Sequence, residues 1–310
     1  MANTFAAITD AGHKEAQRIF MEALESHDRG MQWQALFSQF LSDRPSEVFE
    51  GLGTMPYLSA YDGETMVAID SDDGFTATFT PAGYAGKRVQ SVDKTNDVPV
   101  EVRSKLANML ASATSATVNT HVWDVFNNAF SGAHLGPDSK ALCATDHPLK
   151  PGSGDTWSNK LTTALSKDAY FAAKATMGKQ LDAEGKIIDI PMAQYLVVPT
   201  ELEGLAKELT GADLLLYQMA ASALMGSDFN PVKSDNIIPI SSNYLSVEDA
   251  NDWFLCTPPN DENGLKIVWR YLPEAKAGIN EENDQTWMWS KVKLVAGWTS
   301  GRQVMGSEVA

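Results

Sequence analysis

Apolar positions along the chain change period several times, and each change marks an element. Near the start, Phe20, Ala23 and Leu24, then Trp33, Leu36, Phe37 and Phe40, recur at spacings of three and four. That predicts helix over most of the first 45 residues, interrupted at His27-Asp28-Arg29-Gly30. Further on the period falls to two. Residues 65–69 read as one strand, and Phe75-Thr76-Ala77-Thr78-Phe79-Thr80 alternates as a half-buried strand does. Asp70-Ser71-Asp72-Asp73-Gly74 lies between them, and an Asp-Gly pair tolerates positive φ, so segment 56–92 is predicted to hold a β-hairpin with a polar tip. The tip has the look of a calcium loop, but Gly74 stands at its fifth position and Pro81 at its twelfth, where oxygen ligands are needed. A calcium site is therefore not expected.

A helical stripe then runs through Leu106, Met109, Leu110, Ala113, Ala116, Val122, Val125, Phe126 and Ala129, with Pro99 at its first turn and Gly132 at its end. The predicted helix, 99–131, is about 50 Å long. Its middle is rich in Ala, Ser and Thr, which lets another element lie close across it. Residues 131–160 form a loop rich in Gly, Pro, Ser and Asp. Ser166 is placed to cap a helix carrying Tyr170, Ala173, Met177 and Leu181 on one face. Residues 195–199 read as a buried strand, Thr200 and Glu203 as a capping box for the next helix, and 213–225 as another helix. Strands follow at 253–256, 265–271 and 287–298; in the last, Met288, Val292, Leu294, Ala296 and Trp298 face one way. The class is α+β.

Composition narrows function mainly by exclusion. The formal net charge is −16, with 40 acidic against 24 basic side chains, so the chain gains little from phosphate neutralisation and is not expected to bind nucleic acid tightly. Cys143 and Cys256 are far apart in sequence and match neither a disulfide framework nor zinc spacing, and fit a reducing cytoplasm. The start, MANTFAAITDAGHKE, does not resemble a signal peptide, and the apolar tract 214–225 is too short to span a bilayer. No nucleophile elbow, phosphate loop, dinucleotide fingerprint or HExxH is present. Asp146-His147, with Ser153 or Ser158 nearby, is the one arrangement that could suggest a hydrolase; an anchoring histidine in a loop is the simpler reading. Glu281-Glu282-Asn283-Asp284 reads as a solvated turn between strands. No cofactor or metal is expected.

Five segments resemble, in order, the major capsid proteins of tailed bacteriophages, and specifically the Mu-like major head subunit family. They are ALCATDHP at 141–148 with Trp157-Ser158-Asn159 after it, VFNNAF at 125–130, YLVVPTELEGLAKEL at 195–209, Asn243-Tyr244-Leu245 with ANDWFL at 250–255, and Gly297-Trp298 through Gly301-Arg302 to VMGS at 304–307. The resemblance extends over roughly residues 60 to 307, and the named segments lie in its part from 125 onward. Cys143 departs from the larger apolar residue expected there, and 236–240 matches only loosely.

The resemblance implies the HK-type capsid fold and a subunit that self-assembles into the icosahedral shell around phage DNA. An encapsulin-like compartment is the alternative use of that fold. Residues 1–52 would be an N-terminal arm and 53–95 an extended hairpin loop. Residues 96–164 would be a peripheral domain with the long spine helix, 165–265 an axial domain, and 266–310 strands returning to the peripheral domain. Phe75, Phe79, Tyr84, Arg88, Trp33 and Phe37 become candidates for contacts between subunits, since a hairpin outside a core needs a neighbour to cover its rings. The partners implied are other copies in pentamers and hexamers, a separate scaffolding protein, a portal and a decoration protein. DNA would be faced without specific binding, and no membrane is involved. The location would be the virion capsid, assembled in the host bacterial cytoplasm. Some related proteins join subunits through Lys and Asn; Lys87 is the one lysine of segment 56–92, and no crosslink is expected.

Overall fold

Two sheets and one long helix set the architecture. The computed structural model describes residues 14–26, 31–51, 58, 66, 74–91, 100–188, 191–218, 225–245, 250–260, 264–280 and 282–309. The first sheet has the order β1 (Ser38–Leu41), β13 (Leu265–Asn280), β14 (Gln285–Trp298), β4 (Ala82–Ser91). β13 and β14 form a long antiparallel hairpin, β4 adds antiparallel to β14, and β1 adds parallel to β13. Along β14 the alternation resolves as the sequence predicts: Ser290, Val292 and Leu294 are buried, and intervening residues are half-exposed. The buried face meets the spine helix Val100–Asn127, about 42 Å long at 1.5 Å per residue.

The small residues of that helix work as expected. Ala107 and Ala111 are fully buried beneath Phe20 and Leu24 of a helix at 14–26. Thr114 sits one turn further on, its hydroxyl 2.7 Å from that of Ser290 on β14. Helical backbone ends at Asn127, before Gly132, and a turn carries the chain into the long loop.

The second sheet has the order β11 (Ile238–Ser242), β8 (Tyr195–Pro199), β12 (Trp253–Cys256), β15 (Val304–Ser307), β7 (Lys160–Leu161). Both its faces are covered. Val197, Phe254, Cys256 and Val304 join the core that holds the spine helix and the first sheet. Leu196, Val198, Trp253, Leu255 and Met305 pack with the helices Lys167–Met177 and Glu203–Gly211 on the other side. Two-sided burial is why these strands read as unbroken apolar runs rather than alternating ones. Ser166 caps the first of these helices, its hydroxyl accepting from Ala169 N at 3.1 Å.

Four expectations need correction. Residues 33–40 are not a helix: Gln32–Ala35 make a 3-10 turn and β1 follows. Trp33, Leu36 and Phe37 enter one core and Phe40 another, so the three-four spacing reflects two packing sites rather than one helical face. Nor are 214–218 part of the helix expected at 213–225, of which 219–224 lie outside the described residues. β9 (Leu214–Gln218) pairs antiparallel with β10 (Met225–Phe229), because a short apolar run of this kind fits a strand as readily as a helix turn. Thr200 lies inside a 3-10 turn, Thr200–Leu202, ahead of its helix rather than at a capping box. Finally, β15 joins the five-stranded sheet of β8 and β12 and not the sheet of β13 and β14. Of the strand expected at 65–69 all but Met66 lie outside the described residues, as do the turn at 70–73 and Pro99.

Cys143 and Cys256 are both buried free thiols of the main core, and burial pushes both pKa values up. A thiol so placed is neither ionised nor reachable at neutral pH. Iodoacetamide should leave both unmodified in the folded chain at pH 8 and alkylate both in denaturant, read by intact mass. Rapid labelling of either in the folded chain would contradict this packing.

Candidate assembly interface

The hairpin region is built differently from its sequence reading. β2 (Glu47–Phe49) pairs antiparallel with β3 (Ala77–Phe79). The ladder extends one step, with Gly51 N donating to Phe75 O at 3.1 Å and Gly74 N donating to Gly51 O at 2.8 Å. Gly74 is thus a ladder residue and not the glycine of a tip. A Cβ on Gly51 or Gly74 would collide with the facing backbone, so close approach is what requires glycine there. Gly51 and Gly74, which flank residues 52–73 in the sequence, are thus hydrogen-bonded to one another at this neck.

Three of the six contact candidates are covered by their own chain. Phe79 is 4% exposed, packed edge-on to Phe49 with centroids 5.4 Å apart and pressed against Gly297. Trp33 and Phe37 lie in the main core, where Trp33 Nε1 donates to Asn119 Oδ1 at 2.8 Å and Phe37 meets Phe126 edge-on. The premise that Phe79 awaits a neighbour fails because strand β2 and β13 already bury it. Phe75 is half-buried near the neck, Tyr84 stacks on His121 of the spine helix at 4.1 Å, and Arg88 is exposed. Of the six, Phe75, Tyr84 and Arg88 leave surface for another subunit.

Sequence reading missed the outer face of the first sheet. Beyond residue 270, β13, β14 and β4 continue as a three-stranded ribbon whose residues are mostly half or fully exposed. Its face away from the spine helix places Lys87, Trp289 and Lys276 in one cross-strand row, and Val89, Trp287 and Gly278 in the next. Lys291 and Glu274 form a third, ion-paired at 2.7 Å. The signal was available: 287, 289, 291 and 293 are the residues that alternate with the buried positions of β14.

The Asp146-His147 pair does not form. Asp146 is ion-paired with Lys140, which holds its carboxyl below the usual range. His147 is fully buried, with Nδ1 2.6 Å from Asp138 Oδ2, Nε2 3.0 Å from Asn159 Oδ1, and its ring stacked on Trp157. Ser153 and Ser158 hydroxyls accept from Asp155 N and Lys160 N. A ring with no exposed surface cannot reach a substrate; it ties the loop to β5 (His147–Pro148) and β6 (Thr156–Trp157). Among the described residues no group of His, Cys, Asp and Glu could hold a metal, and no helix is long and apolar enough to cross a membrane.

A model of phage capsid proteins matches residues 86–303, a span that takes in the spine helix and most of both sheets. No curated protein matches the sequence. Among solved structures, the capsid of a native GTA particle is 13% identical with a TM-score of 0.56, over 90% of this chain and 89% of that one. The bacteriophage JBD30 capsid is 15% identical with a TM-score of 0.54, over 69% and 90%. Microbacterium phage Oxtober96 gives 11% and 0.52, over 89% and 90%. At such identities the likeness is one of fold.

Proposed function

Since this chain belongs to the phage capsid protein family, we propose that copies of it meet in pentamers and hexamers to close the icosahedral head of a tailed phage. The chain is a capsid shell protein with the tailed-phage capsid fold. The observation that carries the finer reading is the family match over the spine helix and both sheets, together with a ribbon whose face away from the spine helix is left partly exposed. The role is structural, and the interior of the loop at 131–160 holds its histidine for packing. A phage family model favours a phage head over an encapsulin-like compartment.

In this reading the axial part is the five-stranded sheet with its two helices, and the peripheral part is the spine helix with the first sheet. Residues 52–73 and the exposed surface at Phe75, Tyr84 and Arg88 serve contacts between subunits. Scaffold and portal come from separate proteins, a decoration protein sits on the finished shell, DNA is faced without specific binding, and assembly takes place in the host cytoplasm. Many modest contacts repeated around symmetry axes give a stable container through combined valency. Purified chain, with and without its scaffold, should give rings or shells in negative-stain electron microscopy. A chain that stays monomeric with scaffold present would overturn the shell reading.

A further inference from the structure

We propose that the lysine–indole face of the β4–β14–β13 ribbon docks an acidic surface of a second copy of this chain. The proposal rests on the shell reading above and names one of its contacts. The face is unusual in so acidic a molecule. It gathers Lys87, Lys276, Lys291 and Lys293 against one carboxylate, Glu274, in a chain of formal net charge −16. Lys291 is paired with Glu274, while Lys87, Lys276 and Lys293 make no ion pair among the described residues. Three of the four amines rest on aromatic rings: Lys87 5.8 Å from the Trp287 centroid, Lys276 5.7 Å and Lys291 5.3 Å from Trp289, and Lys291 4.9 Å from Tyr271. Arg270 continues the row at 5.5 Å from Tyr271.

Such contacts lay the amines over rings that are themselves partly exposed. Tyr271 keeps 46% of its surface exposed, as does the neighbouring Val89, and Trp287 and Trp289 are partly buried. Rigid, partly exposed aromatics ringed by charge are what an interface anchor looks like before its partner arrives. The occupant has to be anionic. Duplex DNA is the weaker fit, because it is anionic along its whole length and would meet the chain's acidic surface beside the lysines, whereas a second copy has mixed charge and can present acid only where the lysines lie. A second copy carries the same acid excess on compact side chains, and a shell brings copies together at high local concentration. Charge complementarity also orients the approach and makes it sensitive to salt.

The test uses the full chain with Lys87→Glu, Lys276→Glu and Lys293→Glu combined, leaving the Lys291–Glu274 pair intact, and a second triple variant to Arg. Sedimentation velocity and electron microscopy at low and high NaCl read assembly, and circular dichroism reads folding. The wild type and the Arg variant should assemble, less so at high salt, and the Glu variant should stay folded with self-association weakened roughly ten-fold or more. A folded Glu variant that assembles like the wild type overturns the proposal. So does a gel shift in which the face binds duplex DNA while the Glu variant still assembles. A wild type that forms small oligomers but never shells overturns the shell reading alone, and the docking face is then judged by whether the Glu variant loses those oligomers. A wholly monomeric wild type overturns both.

Discussion

Phe126→Ala should lower the stability of the folded chain by roughly 3–5 kcal/mol, the range for emptying a buried phenylalanine site. Phe126 is 1% exposed at the C-terminal end of the spine helix. Its ring meets Phe254 of β12 at 5.1 Å, Trp123 at 5.7 Å and Phe37 at 6.0 Å, so segments from the start, middle and end of the chain share one aromatic contact. Phe130 closes the cluster by stacking on Phe254 at 5.5 Å. The spine helix, the strand leading from the N-terminal segment and the five-stranded sheet are joined here, and a cavity cannot be filled by moving any of them alone. Phe126→Leu, which fills much of the space, should cost less than half as much. Denaturant unfolding of the unassembled chain measures both. Against a typical total of about 5–15 kcal/mol the alanine variant would be close to unfolding, and its yield of assembled particles should fall with it. A loss below about 1 kcal/mol would mean the rings do not share a core.

What the sequence showed of this fold depended on how many turns or strands a pattern spans. The spine helix was legible as a helix because apolar residues recur from Leu106 to Phe126, but its buried face was misplaced in the first half: Met109, Ala113 and Ala116 are exposed, while Ala107, Ala111, Thr114 and Val118 are buried. β8 and β12 were legible as short apolar runs because both faces of their sheet are covered. Residues 33–40 and 214–218 were misread because two turns of helix and one strand place apolar residues almost alike, and only partner strands decide. The acid beside His147 was misassigned for a related reason: Asp146 is adjacent in sequence, but the loop folds back to bring Asp138 to the ring. Surface contacts were least legible. An aromatic residue carries no mark of whether its own chain or another will cover it; Phe79 is covered by its own sheet, while Trp287 and Trp289, read only as strand residues, are left half-open.

Asn159→Ala should destabilise the chain by roughly 3–4 kcal/mol, although it removes no apolar surface of consequence. Asn159 is fully buried, and its amide joins two regions remote in sequence. Nδ2 donates toward Leu142 O at 2.8 Å, Gly301 O at 2.9 Å and Val304 O at 3.0 Å, and Oδ1 accepts from Ala144 N at 2.9 Å. Its backbone continues the link, accepting from Gly306 N and donating to Ala144 O. Alanine would leave the carbonyls at 142, 301 and 304 short of a donor in a site closed to bulk water, and each such orphan costs about 1–3 kcal/mol, reduced where a neighbour can substitute. Ala144 N has one substitute, His147 Nε2 at 3.2 Å, which is why the loss stays below the full sum. Asn159→Asp should be at least as harmful, because it keeps the acceptor but turns a carboxylate oxygen toward three carbonyls. The readouts are the unfolding midpoint and amide exchange at Ala144 and Gly306. Faster exchange at both, with the spine helix unchanged, is the expected pattern; an unchanged midpoint would show that the loop at 131–160 is held by the His147–Trp157 stack instead. The two anchors touch, His147 Nε2 lying 3.0 Å from Asn159 Oδ1, so their losses should not add, and removing both should free the loop from the C-terminal strand β15 between β12 and β7.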